Sequence, residues 1–221
     1  RGVQLIPPFA LWWIHMLHDH AWWRDDRAFV RRHLPVMRGV LDAWWGWRAA
    51  DGLIAAPRGW NFVDWVPGWD CGMPAGADTG TSAILNWQAA WTWRIAAELE
   101  DACGEPALAS LHRQRARDLV SALTVCWDDR RGRWCDAPGS AAVSEHGQIL
   151  PLLSGLCPPE RNERCARALC DDADLSRTTI YFTHYLFEAC RQLGRGDLLV
   201  RRLGLWHDLE RAGLTTTPEC P

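Results

Sequence analysis

The sequence contains no lysine; all 24 of its basic residues are arginine, which reads as a compositional bias. Against 27 acidic residues they leave a net charge of −3. Nothing here gathers the one-sided basic surface that a nucleic acid needs, so no nucleic-acid partner is expected. Long hydrophobic runs are missing too. The longest apolar stretch, 5–17, is broken by Pro7, Pro8 and His15 and is too short to span a bilayer, so no membrane partner is expected. The nine cysteines lack any CxxC pair and any finger-type spacing with histidine. An odd number without a repeat does not make a disulfide framework, and the reading is reduced, mostly buried thiols in a cytoplasmic protein. No metal and no organic cofactor is expected. The chain starts at Arg1 without a signal peptide and reads as a piece of a longer protein.

Tryptophan is abundant: 16 residues, against 5 Phe and 2 Tyr. About half of them serve as core filler. Others stand beside Gly, Asn and Asp, as in Gly59-Trp60-Asn61-Phe62 and Asp64-Trp65. An indole next to a turn and a carboxylate suits a sugar site, because the flat ring covers the C–H face of a pyranose while the acid takes hydroxyls. With 48% hydrophobic and 23% charged residues the chain is an ordinary globular one, which excludes disorder, and 221 residues suffice for a single domain with one core.

Apolar residues recur at helical spacing almost throughout. Pro7-Pro8 opens a first helix through Phe9, Trp12, Trp13, Met16 and Leu17. A second carries Val30, Leu34, Met37, Leu41, Trp44 and Trp45, with Pro35 as a possible bend. A long loop without helical period, rich in Gly, Pro, Trp and Asp, fills 52–76, and such loops are usually functional. Further helices are predicted over 78–101, 106–127, 144–155, 159–170, 179–193 and 197–211, with a short hairpin near 128–136. Gly194 and Gly213 fall where helix C-caps belong. The result is an all-α protein of about eight helices with short links. A bundle, a solenoid and a closed ring of helical hairpins all fit that pattern, although no fixed-period repeat supports the solenoid.

Four segments carry polar residues that packing does not require: 60–65 in the long loop, 144–148 at a helix start, 178–185, and 213–219 at the end. Each also has a structural explanation. Asp64 suits a loop turn, Ser144 suits a helix N-cap, His146 and His184 suit satisfied helix positions, and the threonine run suits a strand. Their shared place at helix starts and loops lets them converge at one mouth of a ring.

The order and wording of these segments resemble the catalytic domain of the α-L-rhamnosidases of glycoside hydrolase family 78, within the six-hairpin glycosidases. The resemblance begins at Ile6-Pro7-Pro8-Phe9-Ala10-Leu11-Trp12-Trp13 and takes in 29–35, Asp51-Gly52-Leu53-Ile54 and 60–65. It continues through Ser144-x-His146-x-Gln148, Tyr181-Phe182 with Glu188-Ala189, and Gly213-x-Thr215-Thr216-x-x-Glu219. It implies an (α/α)6 barrel, of which this chain supplies an incomplete ring, and inverting hydrolysis of a terminal rhamnosyl linkage by two carboxyl groups. Inversion spaces such groups roughly 6.5–9.5 Å apart. The resemblance makes Glu219 the general base, with Pro218 where many members have Trp. The family's acidic motif, with its general acid, lies upstream of the Pro-Pro-Phe segment and is not found here; the acidic 19–26 stretch matches a plain inter-helix turn. Trp60, Asp64 and Trp65 are expected to line the sugar pocket, Tyr181 and Phe182 to form the opposite wall, and His146 and Gln148 to be weaker members. Asp64 is expected to accept hydrogen bonds from sugar hydroxyls. The alternatives are another six-hairpin glycosidase, glucoamylase- or trehalase-like, and a non-catalytic helical interaction domain.

Overall fold

Helices α1 (Pro7–Arg24), α2 (Arg27–Gly46), α3 (Ala83–Ala102) and α4 (Pro106–Leu123) come first, in a computed structural model that describes residues 4–171 and 174–219. A short 3-10 turn leads into a two-residue antiparallel ladder, β1 (Trp127–Asp128) with β2 (Arg133–Trp134). Then follow α5 (Glu145–Ser154), α6 (Pro159–Asp171), α7 (Thr183–Gln192), α8 (Gly196–Arg202) and α9 (Gly204–Arg211). The all-α expectation holds. The helix expected over 197–211 is two helices that meet at Leu203, and those expected from 78 and 179 begin later, at Ala83 and Thr183. The threonines at 215–217, like those at 178–179, are loop rather than strand. The pair at 178–179 offers backbone N–H groups to buried carboxylates.

Side-chain contacts fix the helix directions. Gln88 Nε2 donates to the Pro8 carbonyl at 3.0 Å, His15 meets Thr92 at 3.0 Å and His18 meets Glu98 at 3.0 Å, so α1 and α3 run parallel. Arg31 reaches the Cys103 carbonyl, Arg38 binds Glu100 and Trp45 packs on Trp93, so α2 runs against α3. His146 lies 4.3 Å from Phe182 between ring centroids, and Gln192 donates to the Leu152 carbonyl, so α5 and α7 are parallel. Phe9 with Tyr181 and Trp12 stacked on Tyr185 at 4.4 Å make α1 and α7 parallel as well. The N-terminal ends of α1, α5 and α7 therefore open on the same end of the molecule.

Helix α3 is buried on nearly all sides, as an apolar, alanine-rich helix must be when α1, α2, α4 and α5 all pack on it. Trp44, Trp87, Trp93 and Trp134 are fully buried there. Its one buried acid, Glu100, is held by a two-pronged ion pair from Arg38, at 2.8 and 2.7 Å. Of the residues that marked the first helix, Phe9 and Met16 are exposed; Leu11, Ile14 and Leu17 face the core. Helix α1 is apolar all round, so spacing alone does not choose its inner face.

Candidate functional site

The long loop folds on itself before it reaches the helices. Asn61 Nδ2 donates to the Pro57 and Ala77 carbonyls at 2.8 and 2.7 Å, tying the start of the loop to its end. Trp60 Nε1 donates to the Cys71 carbonyl, and the Val63 amide to the Gly72 carbonyl. Gly72 has φ +71°, and a Cβ there would lie 2.5 Å from the Phe62 ring, so the turn admits only glycine without rearrangement. Asn86 of α3 pins the loop's entry through the Ile54 amide and carbonyl. These bonds present Asp64 to the N-terminal end of α5.

Asp64 is fully buried. One oxygen accepts from the Trp65 amide at 3.0 Å and from the Thr179 hydroxyl; the other accepts from the Thr179 amide at 2.8 Å and from His146 Nε2 at 2.9 Å. Burial works against the charge, but the donors from His146 and Thr179 outweigh it and hold the carboxyl below the ordinary range. An ionised Asp64 only accepts, so Nε2 of His146 carries the proton. Nδ1 of His146 is buried without a partner among the described residues. The imidazole is packed by Trp69 at 4.8 Å and Phe182 at 4.3 Å. Ser144 caps α5 by accepting from the Gly147 amide and donates to buried Asp136 at 2.8 Å. Burial raises the Asp136 carboxyl, with Ser144 opposing.

A second carboxylate fastens the same loop. Glu145 accepts from the amide of Thr178 at 2.7 Å and from its hydroxyl at 3.1 Å, and pairs with Arg202 of α8. Arg202 also donates to the Thr178 carbonyl and hydroxyl. Thr178 and Thr179 are thus clasped between Glu145 and Asp64. Beside this clasp lies an aromatic patch. Trp60, Phe62 and Trp65 sit 5.0–5.9 Å from one another, and Tyr181 is 5.9 Å from Phe62. Burial and the charge of Asp64 push the Tyr181 hydroxyl up to about 12.

The structure therefore brings Trp60, Asp64, Trp65, His146, Tyr181 and Phe182 into one region and changes what several of them do. Asp64 was expected to take sugar hydroxyls, but its oxygens are filled by four protein donors. Phe182 was expected on a facing wall, but it is buried beneath the patch against His146. Gln148 was expected on the pocket wall. Its amide instead bonds the Trp134 N–H and carbonyl and the Ser144 carbonyl, fixing β2 to α5, because a buried amide beside an unpaired strand end satisfies that backbone. Trp60, Trp65 and Tyr181 keep exposed surface. Glu219 is exposed on the tail after α9 and makes no hydrogen bond or ion pair with another described residue. Thr179, Trp69, Glu145 and Arg202 also belong to the site; of these, Trp69 stands in the loop that already marked Trp60, Asp64 and Trp65, and the other three were not named as site residues. Thr179 and Glu145 lie inside the marked 178–185 and 144–148 segments and Trp69 in the long loop, so of these four Arg202 alone carried no sequence signal. Among the described residues no cluster of His, Cys, Asp or Glu is arranged to hold a metal, eight cysteines are free thiols, and no helix is long and apolar enough to cross a membrane.

No family model matches the chain, and no curated protein matches it. Solved structures do. A GH78-family rhamnosidase of Bacillus sp. GL1 superposes with a TM-score of 0.88 at 22% identity, over 98% of this chain and 23% of that one. A rhamnosidase from Klebsiella oxytoca with rhamnose bound superposes with a TM-score of 0.82 at 22% identity, over 99% of this chain and 41% of that one. The chain spans well under half the length of either. Its fold is that of a segment of these rhamnosidases.

Proposed function

We propose that this chain is part of a glycoside hydrolase of the α-L-rhamnosidase type and forms the larger share of a single six-hairpin catalytic domain. The observation that carries the reading is the clasped carboxylate. Asp64 and Glu145 hold Thr178 and Thr179 at the end where the parallel helices α1, α5 and α7 begin, next to half-buried Trp60 and Trp65 and exposed Tyr181. The fold likeness to two rhamnosidases supports the choice among sugar hydrolases.

In this reading the open edges of the Trp60 and Trp65 indoles, with Tyr181, cover the apolar face of a rhamnosyl unit. Asp64 acts as a positioning residue that orients His146, whose unpartnered Nδ1 is a hydrogen-bonding group for ligand or water. Glu219 serves as the general base of an inverting reaction, which requires its tail to fold over the helix ends. The general acid comes from residues outside this sequence. The free thiols suit a reducing compartment such as the cytoplasm.

The test uses a longer natural protein that contains this chain. It is expected to release nitrophenol from nitrophenyl α-L-rhamnoside and not from the α-glucoside. Glu219→Gln should lower kcat by about 10³-fold or more with KM little changed. Preference for the glucoside would move the reading to another six-hairpin glycosidase, and near-normal turnover in the variant would remove Glu219 from the chemistry. The 221-residue chain alone should bind rhamnose weakly, seen as quenching of indole fluorescence that Trp60→Ala diminishes.

A further inference from the structure

Two thiols meet in a part of the fold that the candidate site does not use. Cys157 stands in the link between α5 and α6, and Cys165 lies on the second turn of α6. They are 8% and 0% exposed, and a hydrogen bond joins them. Both lie beside the indole of Trp134, which is itself fully buried. Trp134 Nε1 has no oxygen or nitrogen acceptor, so the polar atoms beside it are the two sulfurs.

A recess of about 250 Å³ lies against this link. Its lining includes Leu156 and Pro158, the two chain neighbours of Cys157, together with Trp134, Arg117 and Arg161. It has room for a few water-sized molecules, each needing roughly 30 Å³. The Arg161 guanidinium sits 5.1 Å from the Trp127 ring and 5.4 Å from the Trp134 ring. It makes no hydrogen bond or ion pair with another described residue, so no carboxylate neutralises it. Its charge is open to the ring faces and to the neighbouring sulfur. Cys157 also precedes the first turn of α6, where unpaired N–H groups favour an anion. The bond from Cys165, the Trp134 N–H and the charge of Arg161 hold the Cys157 thiol below its ordinary value against its burial. The same bond, with burial, pushes Cys165 up. Cys157 is therefore the nucleophile of the two, and Cys165 keeps the proton. Cys126 and Cys135 make an instructive contrast. They face each other beside the β1–β2 ladder, with the Cys135 amide donating to the Cys126 carbonyl at 2.8 Å. Burial pushes both of those thiols up, and no donor offsets it at Cys126.

We propose that Cys157 and Cys165 form a peroxide-reactive dithiol, in which Cys157 attacks the oxidant and Cys165 resolves the product. The Cys157 sulfur takes one oxygen of hydrogen peroxide. The O–O bond breaks, and hydroxide leaves and is protonated to water. The sulfur is oxidised by two electrons to a sulfenic acid, whose oxygen accepts from Trp134 Nε1 and faces Arg161. The Cys165 sulfur then attacks the Cys157 sulfur, the S–O bond breaks, and the Cys165 proton departs with that oxygen as a second water. Two thiols and one peroxide thus become one disulfide and two waters. A small dithiol reverses the reaction. None of these steps depends on the hydrolase reading.

The experiment treats the reduced 221-residue chain with a slight excess of hydrogen peroxide and follows each cysteine by mass spectrometry. Cys157 is expected to be consumed about tenfold faster than the exposed thiol of Cys71. The product should be one internal disulfide, Cys157–Cys165, that dithiothreitol reopens. Trypsin leaves Cys135 and Cys157 on one peptide, so fragmentation of the linked peptide places the bond. Cys165→Ser should stop the link and leave a sulfenic acid at Cys157 that dimedone traps. Arg161→Gln should slow the loss of Cys157 several-fold with the helical circular dichroism intact, and Cys135→Ser should leave the link unchanged. Consumption of Cys71 ahead of Cys157, a link to any other cysteine, or a Cys165→Ser chain without the dimedone adduct at Cys157 would each overturn the proposal. So would an Arg161→Gln chain that is oxidised at the parental rate.

Discussion

Both oxygens of Asp64 accept hydrogen bonds inside the protein, from the loop that carries it and from two elements far away in sequence. Its loss is therefore a structural event as well as a functional one. Asp64→Ala leaves His146 Nε2 and the amide and hydroxyl of Thr179 buried without acceptors. Each such group costs about 1–3 kcal/mol. The variant is expected to lose on the order of 3 kcal/mol of stability in urea unfolding. Asp64→Asn, which keeps the shape and one acceptor oxygen, should lose less. If Asp64→Ala unfolds at the parental urea concentration, the four-donor geometry does not describe the folded protein. The acid limb has a defined sign. The folded carboxyl lies below its ordinary 3.8, so its contribution is complete above that pH and is lost as pH falls through the folded value.

At the scale of elements, α1 and α3 carry a second acid-sensitive contact at a higher pH. His15 is buried between them, and its Nε2 faces the Thr92 hydroxyl, which itself donates to the Gln88 carbonyl. The Thr92 oxygen therefore accepts, and His15 Nε2 carries a proton. Burial, reinforced by the charges of His18 and Arg94, lowers the His15 pKa from 6.5 to about 3. The unfolded chain takes up a proton at His15 below pH 6.5 while the folded chain does not, so stability is full above that value and falls as pH drops toward 3. Burial lowers His112 as well and adds to the same trend. The urea midpoint should decline steadily from about pH 6.5 to about pH 4, and His15→Gln should flatten part of that decline. An identical slope in the variant would show that His15 does not govern it. The elements themselves were legible because α2, α3 and α4 follow the helical period and are bounded by Pro106 or by turn glycines. The site was legible as segments, 60–65, 144–148 and 178–185. The bonding inside it was not. Whether Asp64 faces solvent or His146, and whether Gln148 faces a ligand or the Trp134 backbone, depends on contacts across 82 and 14 residues that no local pattern encodes. Arg202, on a short helix between other arginines, carries no signal for its partner, Glu145, 57 positions away.

For the whole molecule, the feature that sets its behaviour in solution is the outer face of α1. Phe9, Met16 and Trp23 recur every seven residues, within one narrow stripe of the helix, and are 43%, 67% and 81% exposed. Trp22 stands beside them at 80%, next to an apolar cleft of about 420 Å³ whose walls include Ala21, Val30 and Leu99. A monomeric globular protein rarely leaves a contiguous helix face of this kind in water. The net charge of −3 over 221 residues supplies little repulsion to keep copies apart. The 221-residue chain is therefore expected to self-associate reversibly at tens of micromolar, seen in sedimentation velocity as a concentration-dependent increase in mean mass. Met16→Ser combined with Trp23→Ser should shift that association to about tenfold higher concentration, because both side chains face solvent and neither contributes to the buried core. Their removal should also leave the urea midpoint within about 0.5 kcal/mol of the parent. A parent that stays monomeric at roughly 100 µM, or a double variant that associates as readily, would show that this stripe does not drive contact between copies.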